Sequence, residues 1–228
     1  MKSIQIAIDG PSGAGKSTMA KLVSQKLGIM YLDTGAMYRA LALKAIRQNI
    51  DTNDSEKVSE LLSDFNISIK YEKGSQKVIL NGEDVSDKIR TDEVSMGASN
   101  VSAIPAVRKR LVELQQKMAS NTSVVMDGRD IGTHVLPNAD VKIFLTASVA
   151  QRALRRYNEQ KDKGILKKSL EEIEKEIEIR DYNDSHRAAS PLKQADDAVL
   201  LDTSNYTIEE SVEKILEIIR SKGLPNAL

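Results

Sequence analysis

Gly10-Pro11-Ser12-Gly13-Ala14-Gly15-Lys16-Ser17-Thr18 lies between an apolar run, Ile4-Gln5-Ile6-Ala7-Ile8, and a segment carrying Met19, Ala20, Leu22, Val23 and Leu27. The stretch fits G-x-x-x-x-G-K-[ST] in the setting that pattern requires: strand, glycine-rich loop, helix. Such a loop points backbone N–H groups inward and cradles phosphate oxygens. The helix N-terminus adds unpaired donors and partial positive charge. Lys16 is placed to reach the outer phosphates, and the Ser17 hydroxyl is a candidate Mg²⁺ ligand. The plainer alternative is a flexible turn. The spacing, the Lys-Ser pair and both flanking elements favour a bound nucleoside triphosphate instead.

Composition narrows the field. A chain of 228 residues is one large domain or a domain with an insertion. Its formal net charge of zero argues against a general nucleic-acid or membrane-surface binder, although a local basic cleft is compatible with it. The absence of cysteine removes disulfides, thiolate nucleophiles and cysteine-ligated zinc. His134 and His186 are far apart in sequence and form no metal pattern. Met1-Lys2-Ser3 precedes the first strand directly, and no apolar run approaches the roughly 18 residues of a membrane helix. The expectation is a soluble, cytoplasmic protein.

The rest of the chain alternates strands and helices. Gly28 suits the end of the first helix. A second strand is predicted at 29–32, and Asp33-Thr34-Gly35 turns into a helix at 36–48, with Leu41, Ala42, Ala45 and Ile46 as its buried face. Further strands are predicted at 124–126, 141–145 and 198–201. Five strands separated by helices imply a parallel sheet covered on both faces. One stretch departs from this rhythm. Ile67, Ile69 and Tyr71 alternate with polar residues, a turn at Gly74-Ser75 leads to a strand at 77–80, and Asn81-Gly82 is a strong hairpin dipeptide before Glu83-Asp84-Val85. This predicts a small antiparallel meander inserted into a parallel fold.

A helix then begins with Pro105 in its first turn and buries Val107, Leu111, Leu114 and Met118, leaving Arg108 off that face. The composition of 151–169 predicts a mobile segment. Ser169-Leu170-Glu171-Glu172 and Thr207-Ile208-Glu209-Glu210 each open a helix with a capping-box pattern, and the second is expected to bury Ile208, Val212, Ile215 and Ile219.

Ligands of open parallel sheets bind at the carboxyl ends of the strands. Asp33 and Asp127-Gly128-Arg129-Asp130 occupy such ends. Arg39 lies near a helix start, where a cation is disfavoured by roughly 0.3–1 kcal/mol, so an anion nearby would explain it. Asp127 resembles the carboxylate that assists Mg²⁺ in many phosphate-loop enzymes, and a turn-forming aspartate is the alternative. Arg129 is a ligand candidate or an ion-pair partner of its neighbouring aspartates. Arg180, Asp184 and Arg187 share a face if their helix persists, as a site or as an ion-pair stripe. Arg152, Arg155 and Arg156 form a charged helix surface or close over a transferring phosphoryl.

Taken together, Gly10 to Thr18, Tyr31-Leu32-Asp33-Thr34-Gly35-Ala36-Met37-Tyr38-Arg39, Asp127-Gly128-Arg129-Asp130-Ile131-Gly132-Thr133, Val141-Lys142-Ile143-Phe144-Leu145 and Arg180-Asp181 to Arg187-Ala188 resemble the bacterial cytidylate kinases nearly end to end, meander included. The resemblance implies an α/β phosphate-loop NTPase fold: a five-stranded parallel sheet flanked by helices, a small antiparallel insertion and a short lid. It implies a single domain, with a core at about 1–60, 104–150 and 188–228, an acceptor-binding insertion at about 61–103 and a lid region at about 151–187. It also implies ATP as donor, Mg²⁺, and CMP or dCMP as acceptor, in a protein that needs no nucleic acid or membrane and acts as a monomer.

Residue by residue, the resemblance gives ATP to Gly10, Pro11, Ser12, Gly13, Ala14, Gly15, Lys16, Ser17 and Thr18, with Ser17 on the metal. Arg39 and Arg129 would clamp the acceptor phosphate, Ser99, Arg108 and Asp130 read cytosine, and Arg180 and Asp184 contact ribose with Arg187 close by. Lys16, Arg129, Arg152 and Arg156 would serve the transferring phosphoryl. Thr34, an acceptor-site position, stands where some relatives carry serine, and Ser17 where some carry another residue; hydroxyl or loop geometry survives in both. The rival readings are a same-fold kinase for another acceptor, such as UMP or shikimate, and a regulatory nucleotide switch.

Overall fold

Residues 3–72 and 75–224 are described by the structure, a computed structural model. In chain order the elements are β1 (Gln5–Asp9), α1 (Lys16–Leu27), β2 (Met30–Asp33), α2 (Thr34–Arg47), α3 (Ser55–Glu60), β3 (Ile67–Glu72), β4 (Ser75–Leu80), β5 (Glu83–Asp84), α4 (Asp92–Ala103), α5 (Pro105–Ala119), β6 (Val124–Gly128), β7 (Val141–Thr146), α6 (Val149–Asp162), α7 (Leu170–His186), β8 (Val199–Asp202) and α8 (Ile208–Ser221). The five-stranded sheet has the order β2-β6-β1-β7-β8, and the second sheet has the order β3-β4-β5. Two compact units are formed, one from residues up to Met30 and from Thr122 onward, the other from Tyr31–Asn121.

In the first unit β1 is the central strand. It pairs in parallel with β6 on one side (Ile8 opposite Asp127) and β7 on the other (Ile8 opposite Ile143). Ile6, Ala7 and Ile8 are wholly buried, as expected of a strand covered on both faces. β8 extends the sheet in parallel beyond β7. The carboxyl ends of β1 and β6 therefore lie side by side, which brings Asp9 and Asp127 to one edge of the sheet. α1 closes on Gly28 in the left-handed conformation (φ 63°). Both predicted capping boxes are present, at Ser169 and at Thr207.

Three local expectations change. Residues 149–162 form a regular helix, capped by Ser148 accepting from the Gln151 amide; Arg152 and Ala153 are buried, and Ala153 packs with Ile173 and Ile177 of α7. A charge-rich composition masked the narrow buried stripe of this helix. Val212, Ile215 and Ile219 are buried as expected, whereas Ile208 is half exposed. It sits in the first turn of α8, on a shallow depression shared with Leu22 and Lys26. The helix expected at 36–48 begins at Thr34, because β2 runs straight into it: Asp33 ends the strand and caps the helix, accepting from the Ala36 amide at 2.9 Å.

The second unit contains the meander as expected, with β3 antiparallel to β4 and β4 to β5. Asn81 (φ 49°) and Gly82 (φ 88°) make its tight turn, both left-handed, as a two-residue hairpin loop demands. The other expected turn includes Gly74, which lies outside the described residues. α2 is buried on nearly all sides, with Met37, Leu41, Ala42 and Ala45 in the unit's core. On α5, Val107 and Leu111 are buried and Leu114 and Met118 pack partly against the same core. Arg108 proves to be buried too, 3% exposed, rather than free of the packing.

Candidate active site

The first unit holds the phosphate loop. Gly10 (φ 149°), Gly13 (φ 74°) and Gly15 (φ 86°) adopt backbone conformations that side chains resist, so the loop turns back on itself and α1 starts at Lys16. Lys16 Nζ donates to the Pro11 carbonyl at 2.6 Å. Burial, reinforced by the positive charge of Arg129, pushes its ammonium well below the ordinary lysine range despite Asp127, Asp184 and Asp9 nearby. A buried cation in that condition is stabilised by an arriving anion. Ser17 Oγ donates to Asp127 Oδ2 at 2.8 Å, joining a hydroxyl and a carboxylate at the loop's far end. Two hard oxygen ligands suit Mg²⁺, which is bound by one or two protein groups together with phosphates. No cluster of three or more acidic or histidine side chains that could hold a metal alone occurs among the described residues.

Beyond β6, Arg129 Nε donates to Asp184 Oδ2 at 2.7 Å. Burial would raise the Asp184 carboxyl, but Arg129 and Arg180 outweigh it and hold it below the usual carboxylate range. Arg187 follows the last residue of α7, 3.9 Å from Asp184 and 3.8 Å from Asp130, and its Nε donates to the Ser190 carbonyl at 2.8 Å. The structure thus brings Arg129, Asp130, Arg180, Asp184 and Arg187 into one charged cluster. Asp184's short partner is Arg129, 55 residues away, so the pattern on α7 is more than an intrahelical stripe.

The three arginines of α6 separate. Arg155 bonds to Thr203 through its carbonyl (2.6 Å) and hydroxyl (3.3 Å). Arg156 is half-buried. Arg152 is buried against the phosphate loop, where Nη1 donates to the Ser12 carbonyl at 2.7 Å and to Asp181.

In the second unit Asp33 binds Arg39 at 2.7 Å and has Arg90 at 3.5 Å, with Gln76 accepting from its amide at 3.0 Å. Burial pushes the Asp33 carboxyl up, but the two guanidinium groups and the Ala36 amide bring it below the usual range. Thr34 is buried beside it. Arg108 lies over the Tyr38 ring, 5.6 Å from its centroid, and Nη1 donates to the Ser102 carbonyl at 3.2 Å. Ser99, partly buried on α4, accepts through its carbonyl from Ser102 Oγ at 2.8 Å.

The charged and polar side chains of Asp9, Arg90 and Gln76 have no role in the sequence reading, and Asp181 stands there only within the stretch 180–188. Asp9 is 5% exposed and accepts from the amides of Ile131 (2.8 Å) and Gly132 (2.7 Å), fastening the chain just past Asp130. Its position immediately before Gly10, at the end of an apolar strand, was the available signal.

The model of the cytidylate kinase family matches residues 6–221. This chain belongs to the cytidylate kinase family. A protein of Lactobacillus johnsonii called cytidylate kinase is 55% identical over 219 residues, covering 96% of this chain and 95% of its own. One of Ligilactobacillus salivarius with the same name is 55% identical over 223 residues, covering 98% and 99%. Among solved structures, an uncharacterized protein from Eubacterium ventriosum aligns over 96% of this chain and 99% of its own with a TM-score of 0.52 at 14% identity, a likeness of fold alone.

Proposed function

We propose that this chain transfers the γ-phosphoryl group of ATP to CMP or dCMP, giving ADP and CDP or dCDP. The observation that carries the reading is the family match across residues 6–221, together with relatives of the same name at 55% identity over nearly their whole length. The phosphate loop, with Lys16 buried in it, and the arginine–carboxylate networks support that reading.

Gly10 to Thr18 bind the ATP phosphates, and Lys16 meets the outer ones. Ser17 and Asp127 would hold Mg²⁺, which would neutralise phosphate charge when bound. Arg39 and Arg129 serve the acceptor's phosphate, with Thr34 contributing beside Arg39. Ser99, Arg108 and Asp130 serve cytosine: a hydroxyl, a guanidinium and a carboxylate can satisfy its carbonyl, ring nitrogen and amino group. Buried groups left unpaired by another base give discrimination. Arg180, Asp184 and Arg187 serve the sugar. The acceptor's phosphate oxygen is already an anion, so its attack on the γ-phosphorus needs no general base. One P–O bond forms, the bond to the β-phosphate oxygen breaks, and its electron pair leaves with ADP. Positioning and charge neutralisation then supply most of the rate, with Arg156 aiding the transferring group.

The test is ADP release with Mg-ATP and a panel of CMP, dCMP, UMP, AMP, GMP and shikimate. CMP and dCMP should be preferred. Turnover on another acceptor with none on CMP would overturn the reading, and slow hydrolysis indifferent to every acceptor would identify a nucleotide switch.

A further inference from the structure

Both backbone polar groups of Ser12 are taken up by one side-chain pair. Its amide donates to Asp181 Oδ1 at 2.9 Å, and its carbonyl accepts from Arg152 Nη1 at 2.7 Å. The same Nη1 donates to Asp181 Oδ2 at 2.5 Å, which closes a ring through the peptide, the carboxylate and the guanidinium. Arg152 Nε is anchored in turn on the Ala147 carbonyl at 2.9 Å. Arg152 is 4% exposed and the Asp181 side chain 20%. A Cβ on Gly13 would stand 3.2 Å from Arg152 Cβ and 3.6 Å from Ile177 Cδ1, so α6 and α7 both press on the outer side of the loop.

From this geometry we infer that Arg152 and Asp181 are positioning residues for the phosphate donor, a clasp that fixes Ser12 and so presets the loop for ATP. Three consequences follow. With its amide committed to a carboxylate, Ser12 contributes no backbone donor to a phosphate, and the loop's anion-binding amides begin at Gly13. The loop is held in its turned shape before the nucleotide arrives, so less ordering is left to oppose binding. Nε and Nη1 of Arg152 are engaged by the Ala147 and Ser12 carbonyls and by Asp181, which assigns this side chain to the loop and direct contact with the transferring phosphoryl to Arg156. The inference rests on the reading of the loop as the ATP site, and not on the identity of the acceptor.

The experiment is calorimetric titration of Mg-ATP in the absence of acceptor, with steady-state KM values for both substrates. Asp181→Asn is nearly isosteric and keeps one acceptor for the Ser12 amide. It should raise the ATP Kd and KM by about tenfold, the worth of one charge-assisted hydrogen bond, while KM for CMP changes less than twofold. Arg152→Lys keeps the charge and loses the fork. It should act in the same direction, and the double variant should be little worse than the worse single, because the two side chains act as one. Asp181→Glu, which restores the charge, should recover part of the loss. ATP affinity unchanged in a folded Asp181→Asn protein would overturn the clasp. So would additive losses, or a parallel rise in both KM values that tracks lowered stability. If the wild-type protein binds ATP but ignores CMP, and the variants still lose ATP affinity, the clasp stands and the acceptor reading falls.

Discussion

Ser17 Oγ donates to Asp127 Oδ2 across 2.8 Å, binding the first turn of α1 to the end of the neighbouring strand β6. A carboxylate paired to a hydroxyl in this way orients it as a metal ligand. Asp127→Asn preserves size and one acceptor but removes the charge. At fixed ATP, the Mg²⁺ concentration giving half-maximal rate should rise roughly tenfold or more, since losing a ligand's charge costs at least as much as losing an outer-shell partner. Ser17→Ala should shift the same titration in the same direction. An unmoved midpoint in both variants would remove this pair from the metal site.

Lys16 is buried and its Nζ is held on the Pro11 carbonyl. Its charge is costly until phosphate arrives, so its loss should weaken catalysis far more than folding. Lys16→Ala should lower kcat by about 10²–10³, the size of effect seen when one electrostatic donor is removed from an active site, with a melting temperature equal to or above that of the wild type. Near-normal turnover would show that the lysine does not serve the phosphates.

Asp184→Ala removes the short partner of a buried arginine. Breaking such a pair leaves buried Arg129 with only the more distant charges of Asp181 and Asp127 and should cost about 3 kcal/mol of stability by urea unfolding. KM for CMP should rise with little change in ATP affinity, since Arg129 and Asp184 belong to the acceptor reading. Asp184→Asn, which keeps an acceptor for Arg129 Nε, should fall between. Lowered stability with unchanged CMP kinetics would make the Arg129–Asp184 pair purely structural.

The parts of this molecule legible in the sequence are those whose cause is local. The loop pattern, the hairpin at Asn81-Gly82 and the capping boxes at Ser169 and Thr207 each rest on residues within about eight positions of one another, and all stand in the structure. The buried side of the helix at 149–162 was obscured because it includes an arginine. The clasp on Ser12 and the Asp9 bonds join residues 122 to 169 positions apart, which periodicity in one chain cannot reveal. Arg108 shows the middle case: its helix is legible from Pro105 and the apolar face, but its seat over Tyr38 depends on another helix.

Gly10 tests the packing of loop on sheet. A Cβ there would fall 1.9 Å from the Leu145 carbonyl oxygen, and the backbone φ of 149° is already unfavourable for a side chain. Neither backbone can give way, because Gly10 follows the central strand β1 and Leu145 lies in its neighbour β7. Gly10→Ala should therefore destabilise the protein severely or abolish soluble expression. Gly28→Ala, at an open left-handed helix end with nothing within 4 Å, should cost only about 1 kcal/mol. Equal, mild effects in thermal unfolding would show that the loop can move away from β7.

Asp9 gives the sign of a pH dependence. Burial lifts its carboxyl from the ordinary 3.8 to about 6, outweighing the Gly132 and Ile131 amides; Asp130 adds to the rise and Lys16 opposes it. A folded-state pKa above the unfolded one means that the native protein holds the proton more tightly. Asp9's protonation-linked stability is therefore fully present below pH 3.8 and lost as pH rises through about 6, roughly 3 kcal/mol across that window. Asp184 and Asp33, whose pKa values are lowered, run the other way and lose their share as the pH falls below the usual carboxylate range. Comparing wild type with Asp9→Asn at matched pH cancels those contributions. The stability difference, wild type minus variant by urea unfolding, should be greatest near pH 4, shrink through pH 6 and level off above pH 7. A difference that grows with pH would mean that the two amide bonds outweigh burial and that the native carboxylate is ionised throughout.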